Sequence, residues 1–342
     1  MFSYLIHRLL IMIPTLLVIS VLVFVIIQLP PGDFLSNQMD ELKAQGESAA
    51  ALAKIEFYRE LYSLDKPLIQ QYAIWMGFMP GPEGYAGMLQ GEWGMSFEHN
   101  LPVSEVIGDR MALTMLLNFS TIIFIYIVAF PIGVYSATRQ YSVGDYGFTF
   151  IGYIGLATPN FLLGLVLLYY FNVYFGISIG GLMDPEYLDQ PWSWGKVQSI
   201  VEHLAVPVIV IGTAGTAAMI RKLRANLLDE LQKQYVVTAR AKGLGTTRLL
   251  IKYPIRMALN PFVADIGNLI PSVVSGSVIV SAVLSLPTVG PTLLDALRSQ
   301  DQYLAGSFLM FLALLTVVGV FISDLLLAML DPRIRLGGGT GR

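Results

Sequence analysis

The chain has no cysteine, three histidines and few charged residues, and each shortage excludes a class of protein. Without cysteine there can be no disulfide, iron–sulfur cluster, thiolate metal site or cysteine nucleophile. His7, His99 and His203 are far apart and show no metal-ligand spacing. Only 13% of the 342 residues are charged, against roughly 25% in soluble domains, while 55% are hydrophobic. The composition therefore predicts an integral membrane protein and argues against a metalloenzyme.

Motifs for phosphate binding and for nucleophilic catalysis are also missing. The glycine-rich stretch Gly243–Arg248 lacks the GxxxxGK[ST] spacing with which backbone amides and a lysine hold phosphates. The apolar segments contain neither GxSxG nor a Ser–Lys pair. We therefore predict that the chain catalyses no reaction and binds no cofactor, metal ion or nucleic acid.

Six apolar segments approach the roughly 20 residues that a helix needs to cross a bilayer. The first, Leu9–Leu29, is longer than the apolar core of a signal peptide, so we expect it to be retained. The others cover about 113–137, 148–175, 204–221, 262–286 and 305–330. Several contain a proline, which membrane helices tolerate because neighbouring groups satisfy the freed backbone; these are Pro131, Pro159, Pro207 and Pro271. The sequence thus predicts an all-α membrane protein of six spans.

These spans divide the chain into four parts. Residues 1–29 form the N-terminus and first span, 30–111 a large extracytoplasmic loop region, 112–330 a core of five spans, and 331–342 a tail. In the loop region, Leu52, Ile55, Tyr58 and Tyr62 recur at helical spacing within the segment 40–62, which favours a helix packed on the protein's own loop region. Glycine, proline and aromatics then predict irregular structure up to His99.

The segment Arg221–Pro261, called the basic insert, carries nine of the 21 basic residues. Because lysine and arginine concentrate in cytoplasmic loops, their distribution indicates orientation. Fourteen of the 21 fall on the side of the insert and of both termini. We therefore expect the insert and both termini to be cytoplasmic.

The basic insert has the pattern of two short helices. Tyr235–Leu244 combines small residues with Gly243, which can end a helix in the left-handed conformation. Thr246–Leu259 predicts a second helix with basic residues on a solvated stripe, namely Arg248, Lys252 and Arg256. Such a pair could dock another protein or could lie on anionic lipid.

At the insert the sequence resembles a known family. Thr238–Leu244 reads TARAKGL, and ALNP follows with Pro261 eighteen residues after Gly243. This is similar to the cytoplasmic-loop signature of membrane subunits of bacterial ATP-binding-cassette importers, in the peptide, opine and nickel branch of dipeptide and oligopeptide permeases. Val237 stands where the general signature has glutamate. Other stretches match the family too: Leu64-Asp65-Lys66-Pro67, Gly91-Glu92-Trp93-Gly94-Met95-Ser96, Thr158-Pro159-Asn160-Phe161, Leu286-Pro287-Thr288-Val289-Gly290, Asp301-Gln302-Tyr303 and Asp331-Pro332-Arg333.

The resemblance implies a type I importer permease in the bacterial inner membrane, with a coupling helix in the insert. Its partners would be a second, homologous permease subunit in a heterodimer, two ATPase subunits that hold ATP and Mg²⁺, an external solute-binding protein and membrane lipid. The residues expected to dock an ATPase are Tyr235, Thr238, Ala239, Arg240, Ala241, Lys242, Gly243, Leu244 and Pro261.

Polar residues within the spans are candidates for the translocation path, because they are costly in lipid and normally face the bundle or water. These are Asn118, Asn160, Asp265, Asn268, Ser275 and Ser277. Interhelical hydrogen bonds are the alternative for each asparagine or serine. Asp265 could instead be solvated or paired with Arg256.

The resemblance favours a peptide as the transported solute, with an oligosaccharide as the alternative, because the branch also serves sugars. A self-sufficient channel or ion-coupled transporter would need internal repeats and charge within the membrane. No repeat and no paired mid-span acids are evident in the sequence. An intramembrane enzyme is disfavoured by the missing catalytic motifs.

Overall fold

Helices dominate the computed structural model, which describes residues 2–30, 32, 34–45, 49–82, 84–176, 180–187 and 190–330. The helices are α1 Phe2–Gln28, α2 Phe34–Gln45, α3 Ala49–Leu61, α4 Leu68–Met76, α5 Val103–Thr138, α6 Val143–Ala157, α7 Asn160–Phe175, α8 Trp194–Leu231, α9 Gln234–Ala241, α10 Thr246–Lys252, α11 Pro254–Ala264, α12 Ile266–Val283, α13 Val289–Arg298 and α14 Gln302–Leu330. Two-residue strands β1 Met95–Ser96 and β2 Leu101–Pro102 pair antiparallel. The predicted tail, with Asp331-Pro332-Arg333, lies outside the described residues.

Four helices are long and apolar enough to cross a membrane by themselves: Leu5–Gln28, Val103–Thr138, Trp194–Leu231 and Gln302–Met329. Two bent pairs meet the same criterion together, Val143–Ala157 with Asn160–Tyr174 and Thr246–Ile270 with Ser272–Val283. The described residues therefore contain four to six candidate spans. This confirms an all-α, multi-pass membrane architecture.

The segment predicted as one span over 148–175 is broken in the structure. Its two helices, α6 and α7, meet at an angle of 104°. Thr158 between them is extended, with φ −87° and ψ 122°, and Pro159 precedes the first turn of α7. The residue before a proline avoids the helical conformation, and the proline itself has no N–H to continue the ladder. The sequence marked Pro159 as an interruption that a membrane helix tolerates, and the structure shows a full break between two helices at this point.

Two spans are longer than the sequence predicted. The helix expected at 113–137 begins at Val103, so the boundary placed at residue 111 falls inside α5. The helix expected at 204–221 runs from Trp194 to Leu231. Its 38 residues extend about 57 Å at 1.5 Å each, nearly twice the roughly 30 Å hydrocarbon core of a bilayer. Hydropathy detects only the apolar middle of such helices, because their ends are polar.

The chain forms two compact units. Among the described residues, the core unit covers 2–11, 114–287 and 315–330, and the loop unit covers 12–113 and 288–314, apart from the gaps given above. In the core unit α8 packs against α6, α7, α11 and α12. Side chains on several faces of α8 are fully or almost fully buried, among them Val206, Val210, Met219, Leu223 and Leu227. The helix that leads into the basic insert is thus also the centre of the core unit.

The loop unit has a small hydrophobic core of its own. Leu35 of α2, Ile55 of α3 and Phe97 form a buried cluster, on which Tyr58 and Tyr62 pack. This confirms that the apolar stripe of the segment 40–62 packs on the loop region itself. The irregular structure predicted up to His99 was wrong for α4, which buries Ile74, Trp75 and Met76 and ends at Gly77 with φ 86°.

A buried carboxylate joins two distant parts of the loop unit. Asp301 accepts hydrogen bonds from the Ser96 hydroxyl at 2.7 Å and from the Glu98 N–H at 3.3 Å. It also accepts from the Leu304 N–H at 3.2 Å, in the first turn of α14, as an N-cap residue does. Burial raises the pKa of Asp301, while the Ser96 hydroxyl and the backbone donors act in the opposite direction. The motifs GEWGMS and DQY, far apart in sequence, thus form one structure.

We expect Gly94→Ala to destabilise the loop unit. Gly94 has φ 82°, and a Cβ on it would lie 2.4 Å from Cδ1 of Tyr303. Strain and overpacking together should cost about 2–4 kcal/mol. Gly91→Ala is a matched control, since Gly91 has φ 86° but no neighbour within 4 Å of the added Cβ. Thermal unfolding of the purified protein should separate the two variants, and equal shifts would show that the contact with Tyr303 is unimportant.

Candidate functional site

The basic insert folds as three short helices at the end of α8. After α8 ends at Leu231, α9, α10 and α11 follow with breaks at Gly243 and Tyr253. Tyr253 has φ −119° and ψ −80°, and Pro254 begins α11. The single helix predicted over Thr246–Leu259 was therefore wrong, because a proline has no N–H with which to continue the ladder across this point. The helix α11 packs along α8, which secures the insert to the core unit.

Gly243 ends α9 in the left-handed conformation, as predicted. Its φ is 79°, its N–H donates to the Arg240 carbonyl at 3.0 Å, and the Leu244 N–H donates to the Ala239 carbonyl at 3.4 Å. These two bonds form a Schellman motif. Leu244 packs on the cluster of Val236, Ala239 and Leu249. The TARAKGL stretch is therefore a helix with a fixed, hydrophobically closed end.

The face of α9 opposite this cluster is exposed. It consists of four positions spaced i, i+3, i+4 and i+7, which we call the outward stripe: Gln234, Val237, Thr238 and Ala241. Val237, at the position of the family glutamate, is 52% exposed. Ala239, which the sequence predicted as a docking residue, is only 6% exposed and lies inside the insert. Its side chain stabilises the insert and is not part of an accessible surface.

The other predicted docking residues differ in their surroundings. Arg240, Lys242 and Gly243 are exposed around the end of α9. The Tyr235 hydroxyl donates to the Glu230 carboxylate of α8, and its ring lies 6.4 Å from that of Tyr253. Partial burial and Glu230 raise the pKa of Tyr235. Tyr235 therefore joins the insert to α8 as well as being part of its surface.

Pro261 belongs to a different part of the insert from the other predicted docking residues. It is exposed and lies inside α11, whereas the TARAKGL stretch is centred on α9. Its neighbour Phe262 is almost fully buried, and the Tyr126 hydroxyl of α5 donates to the Phe262 carbonyl at 2.9 Å. The ALNP motif thus lies where the insert joins the core unit.

Two ion pairs connect the first residues of the basic insert, at the end of α8, to neighbouring segments of the core unit. Arg224 binds Asp145 of α6 with two hydrogen bonds, Nε to Oδ1 at 3.0 Å and Nη2 to Oδ2 at 2.9 Å. Lys222 lies 2.6 Å from Asp265. The observed partner of Asp265 is therefore Lys222, where the sequence had suggested Arg256. These contacts give two of the basic residues a structural role beyond a solvated face.

Asp145 is a residue that the sequence reasoning missed. Its side chain is 4% exposed, and it accepts the N–H of Tyr141 at 3.0 Å in addition to the Arg224 bonds. Ser142 caps α6 by accepting the Asp145 N–H at 3.2 Å. The Ser142-x-x-Asp145 spacing is that of an N-terminal capping box, which could have drawn attention to this carboxylate. Its pairing with Arg224, 79 residues away, carries no local signal.

The predicted path residues fall into two groups. Asp265 and Asn268 bind each other at 2.9 Å near the Lys222 ion pair, and Ser277 donates to the Val274 carbonyl of its own helix at 2.7 Å. The other three are placed differently. Asn118 is 3% exposed, and its amide has no hydrogen-bond partner among the described residues. Ser275 is exposed, and Asn160 is half-buried in the first turn of α7.

Asn160 and the path residues of α12 are close in space. A Cβ on Gly276, between Ser275 and Ser277, would lie 3.6 Å from the Asn160 amide nitrogen. Elsewhere in the core unit, side chains of α5, α8 and α12 meet, where a Cβ on Gly215 would contact Ile125 and Leu269. Asn160 therefore lies beside the segment of α12 that carries Ser275 and Ser277.

The fold defines an α-helical, multi-pass membrane protein whose central helix carries a folded basic insert. Residues 129–336 match the family described as binding-protein-dependent transport system inner membrane component, and residues 1–118 match the N-terminal region of such components. The chain belongs to this family. It is therefore an inner membrane permease subunit of a binding-protein-dependent importer, which favours the importer prediction over a self-sufficient channel or an intramembrane enzyme.

Named relatives are similar along nearly the whole chain. The oligopeptide transport system permease protein AppB of Bacillus subtilis is 37% identical over 98% of this chain and 99% of its own length. A putative peptide permease protein of Brucella ovis is 31% identical over 98% and 100%, respectively. The dipeptide transport system permease protein DppB of Escherichia coli is 29% identical over 98% and 99%.

Proposed function

We propose that this permease subunit forms half of the path by which an ATP-driven importer brings peptides into a bacterial cell. The similarity to peptide permeases over 98% of the chain carries the proposal. The position of Asn160 beside the α12 segment with Ser275 and Ser277 supports it, because uncharged amide and hydroxyl groups can bind a peptide backbone whatever the side chains. An oligosaccharide is the second candidate, since the same groups also bind sugar hydroxyls.

The topology that we propose has six spans, with each bent helix pair counted as one span. Both termini and the basic insert then lie in the cytoplasm, while the segments 30–102 and 284–301 face outward. The concentration of lysine and arginine in the insert supports this orientation. The Arg8–Asp324 ion pair, at 2.9 Å, supports it as well, because it joins α1 and α14 near the two termini.

Two ATPase subunits, which would hold ATP and Mg²⁺, are proposed to dock under the outward stripe and the end of α9. The apolar Val237 and the small Thr238 and Ala241 allow close approach of a partner surface. Motion of α9 would pass to α8 through Tyr235, and from α8 to α6 and α12 through Arg224 and Lys222. A coupling element has to carry a free-energy difference between two arrangements, and these contacts give it the required stiffness. A second, homologous permease and an external binding protein complete the proposed assembly.

Transport in vesicles tests the proposal. The complete assembly should accumulate a labelled tripeptide in an ATP-dependent manner, with the binding protein supplied outside, and should not accumulate a labelled trisaccharide. Copurification of two ATPase subunits and a second permease with the tagged chain is expected. Uptake of the trisaccharide without uptake of the tripeptide would show that the substrate is an oligosaccharide. A tagged chain that purifies alone and transports without an ATPase would overturn the importer mechanism.

A further inference from the structure

A cavity of about 540 Å³ lies within the loop unit, between α1, α14 and the segment from α4 to Trp93. Its walls are apolar except for Ser307 and the indole N–H of Trp93. Four of the lining residues are methionines: Met76, Met88, Met111 and Met310. The path residues discussed above do not line it. The cavity is therefore lined by a different set of residues from the candidate path.

The cavity opens at the side of the membrane-spanning helices. Three of its lining residues are strongly exposed and belong to candidate spans, Ile13 at 63%, Leu17 at 46% and Leu314 at 46%. On α14 the lining extends from Ser307 to Leu314, about 10 Å along the helix axis at 1.5 Å per residue. The opening thus lies at the depth of the hydrocarbon core, while Met88 and Leu89 of the loop region line the other end.

The size and chemistry of the cavity restrict what can fill it. Its volume falls within the roughly 300–1,000 Å³ of small-ligand pockets. A helix with side chains is about 10–12 Å across, so a segment only about 10 Å long would take up roughly 800 Å³ or more, which exceeds the cavity of about 540 Å³. Apolar cavities do not hold water stably. The remaining abundant molecule at this depth is lipid, whose hydrocarbon chains are apolar, thin and flexible.

We propose that this cavity binds one hydrocarbon chain of a membrane lipid. The exposed Ile13, Leu17 and Leu314 form the lateral entrance, and the methionines adapt to the shape of the chain, because their unbranched side chains have several accessible rotamers. The bound chain lies between α1 and α14 and reaches under Met88 and Leu89. This inference rests on the cavity alone and holds whichever solute the importer carries.

Photolabelling tests the site. The assembled complex is reconstituted in vesicles of phosphatidylethanolamine and phosphatidylglycerol that contain a phosphatidylethanolamine with a diazirine midway along one acyl chain. After illumination, adducts are mapped by mass spectrometry. We expect adducts at Met88, Leu89 and Met310 in addition to those on exposed span residues. Adducts confined to exposed span residues would overturn the proposal.

Filling the cavity provides the specific control. Met310→Trp should remove the adducts at Met88 and Leu89 while leaving those on the exposed surface of α5 unchanged. Ile123→Trp adds the same bulk at a position on α5 that is 57% exposed and does not line the cavity, and should leave the pattern intact. Ser307→Phe serves as a second filling variant if Met310→Trp does not assemble.

The second permease subunit is the alternative occupant. With a photoreactive amino acid at Met310, the proposal predicts cross-links to lipid. Capture of the other permease at this position would show that a protein fills the cavity and would overturn the proposal. A failure to transport peptides would affect the proposed function but would leave the labelling result unchanged.

Discussion

Arg224→Ala is expected to destabilise the core unit by about 3 kcal/mol, because it removes one partner of a mostly buried ion pair and leaves the other without compensation. The carboxylate of Asp145 is only 4% exposed, and Arg224 supplies it with two hydrogen bonds. Since this pair joins α8 to α6, coupled transport should also fall. Thermal unfolding and ATP-dependent uptake by the purified complex measure the two effects.

Two control variants distinguish the effect of breaking this ion pair from the effect of removing a positive charge. Lys222→Ala removes a pair whose lysine is 41% exposed, so its cost should stay near or below about 1 kcal/mol. The double variant Arg224→Ala/Asp145→Ala should recover part of the lost stability, since the buried charge is then gone. Equal losses of stability in Lys222→Ala and Arg224→Ala would show that the unpaired carboxylate is not the cause of the destabilisation. The same conclusion would follow if the loss in the double variant equalled the sum of the losses in the two single variants.

Ala241→Trp is expected to abolish the stimulation of ATP hydrolysis by transport, because it places a bulky ring on the outward stripe where we propose that an ATPase docks. The fold should be unaffected, since Ala241 is exposed and the packed side of α9 is formed by Val236 and Ala239. ATPase activity with and without the loaded binding protein, together with size-exclusion profiles of the complex, measures coupling and assembly separately.

The matched control for this prediction is Ile251→Trp. Ile251 is 65% exposed on α10, in the same insert but outside the outward stripe, so coupling should persist. Equal loss of coupling in both variants would show that docking is not confined to the stripe. Ala239→Trp should instead disrupt the insert itself, because Ala239 is 6% exposed against Val236 and Leu249.

Helical spacing and turn chemistry predicted several local features correctly. Gly243 ends α9 with φ 79°, and the stripe that includes Ile55 packs on the loop region, because backbone conformation and amphipathic faces depend on nearby residues. The same approach missed the division of Thr246–Leu259 at Tyr253. Pro254 was the available signal, because proline is favoured at the first position of a new helix. A proline within a helical pattern can also mark a kink in one continuous helix, so the sequence does not distinguish the two cases.

The sequence by itself determined the class of this protein: a helical membrane subunit with a basic insert whose motifs identify an importer permease. Long apolar runs suffice for the helical membrane class, because the bilayer imposes the same requirement on every span, whereas the importer family followed from the resemblance of the motifs. The tertiary structure decided which side chains meet. It buried Ala239, paired Asp145 with Arg224 79 residues away, and joined Asp301 to Ser96 205 residues away. Such pairings depend on which elements pack against each other, and this choice of partner leaves no periodic signal in the sequence.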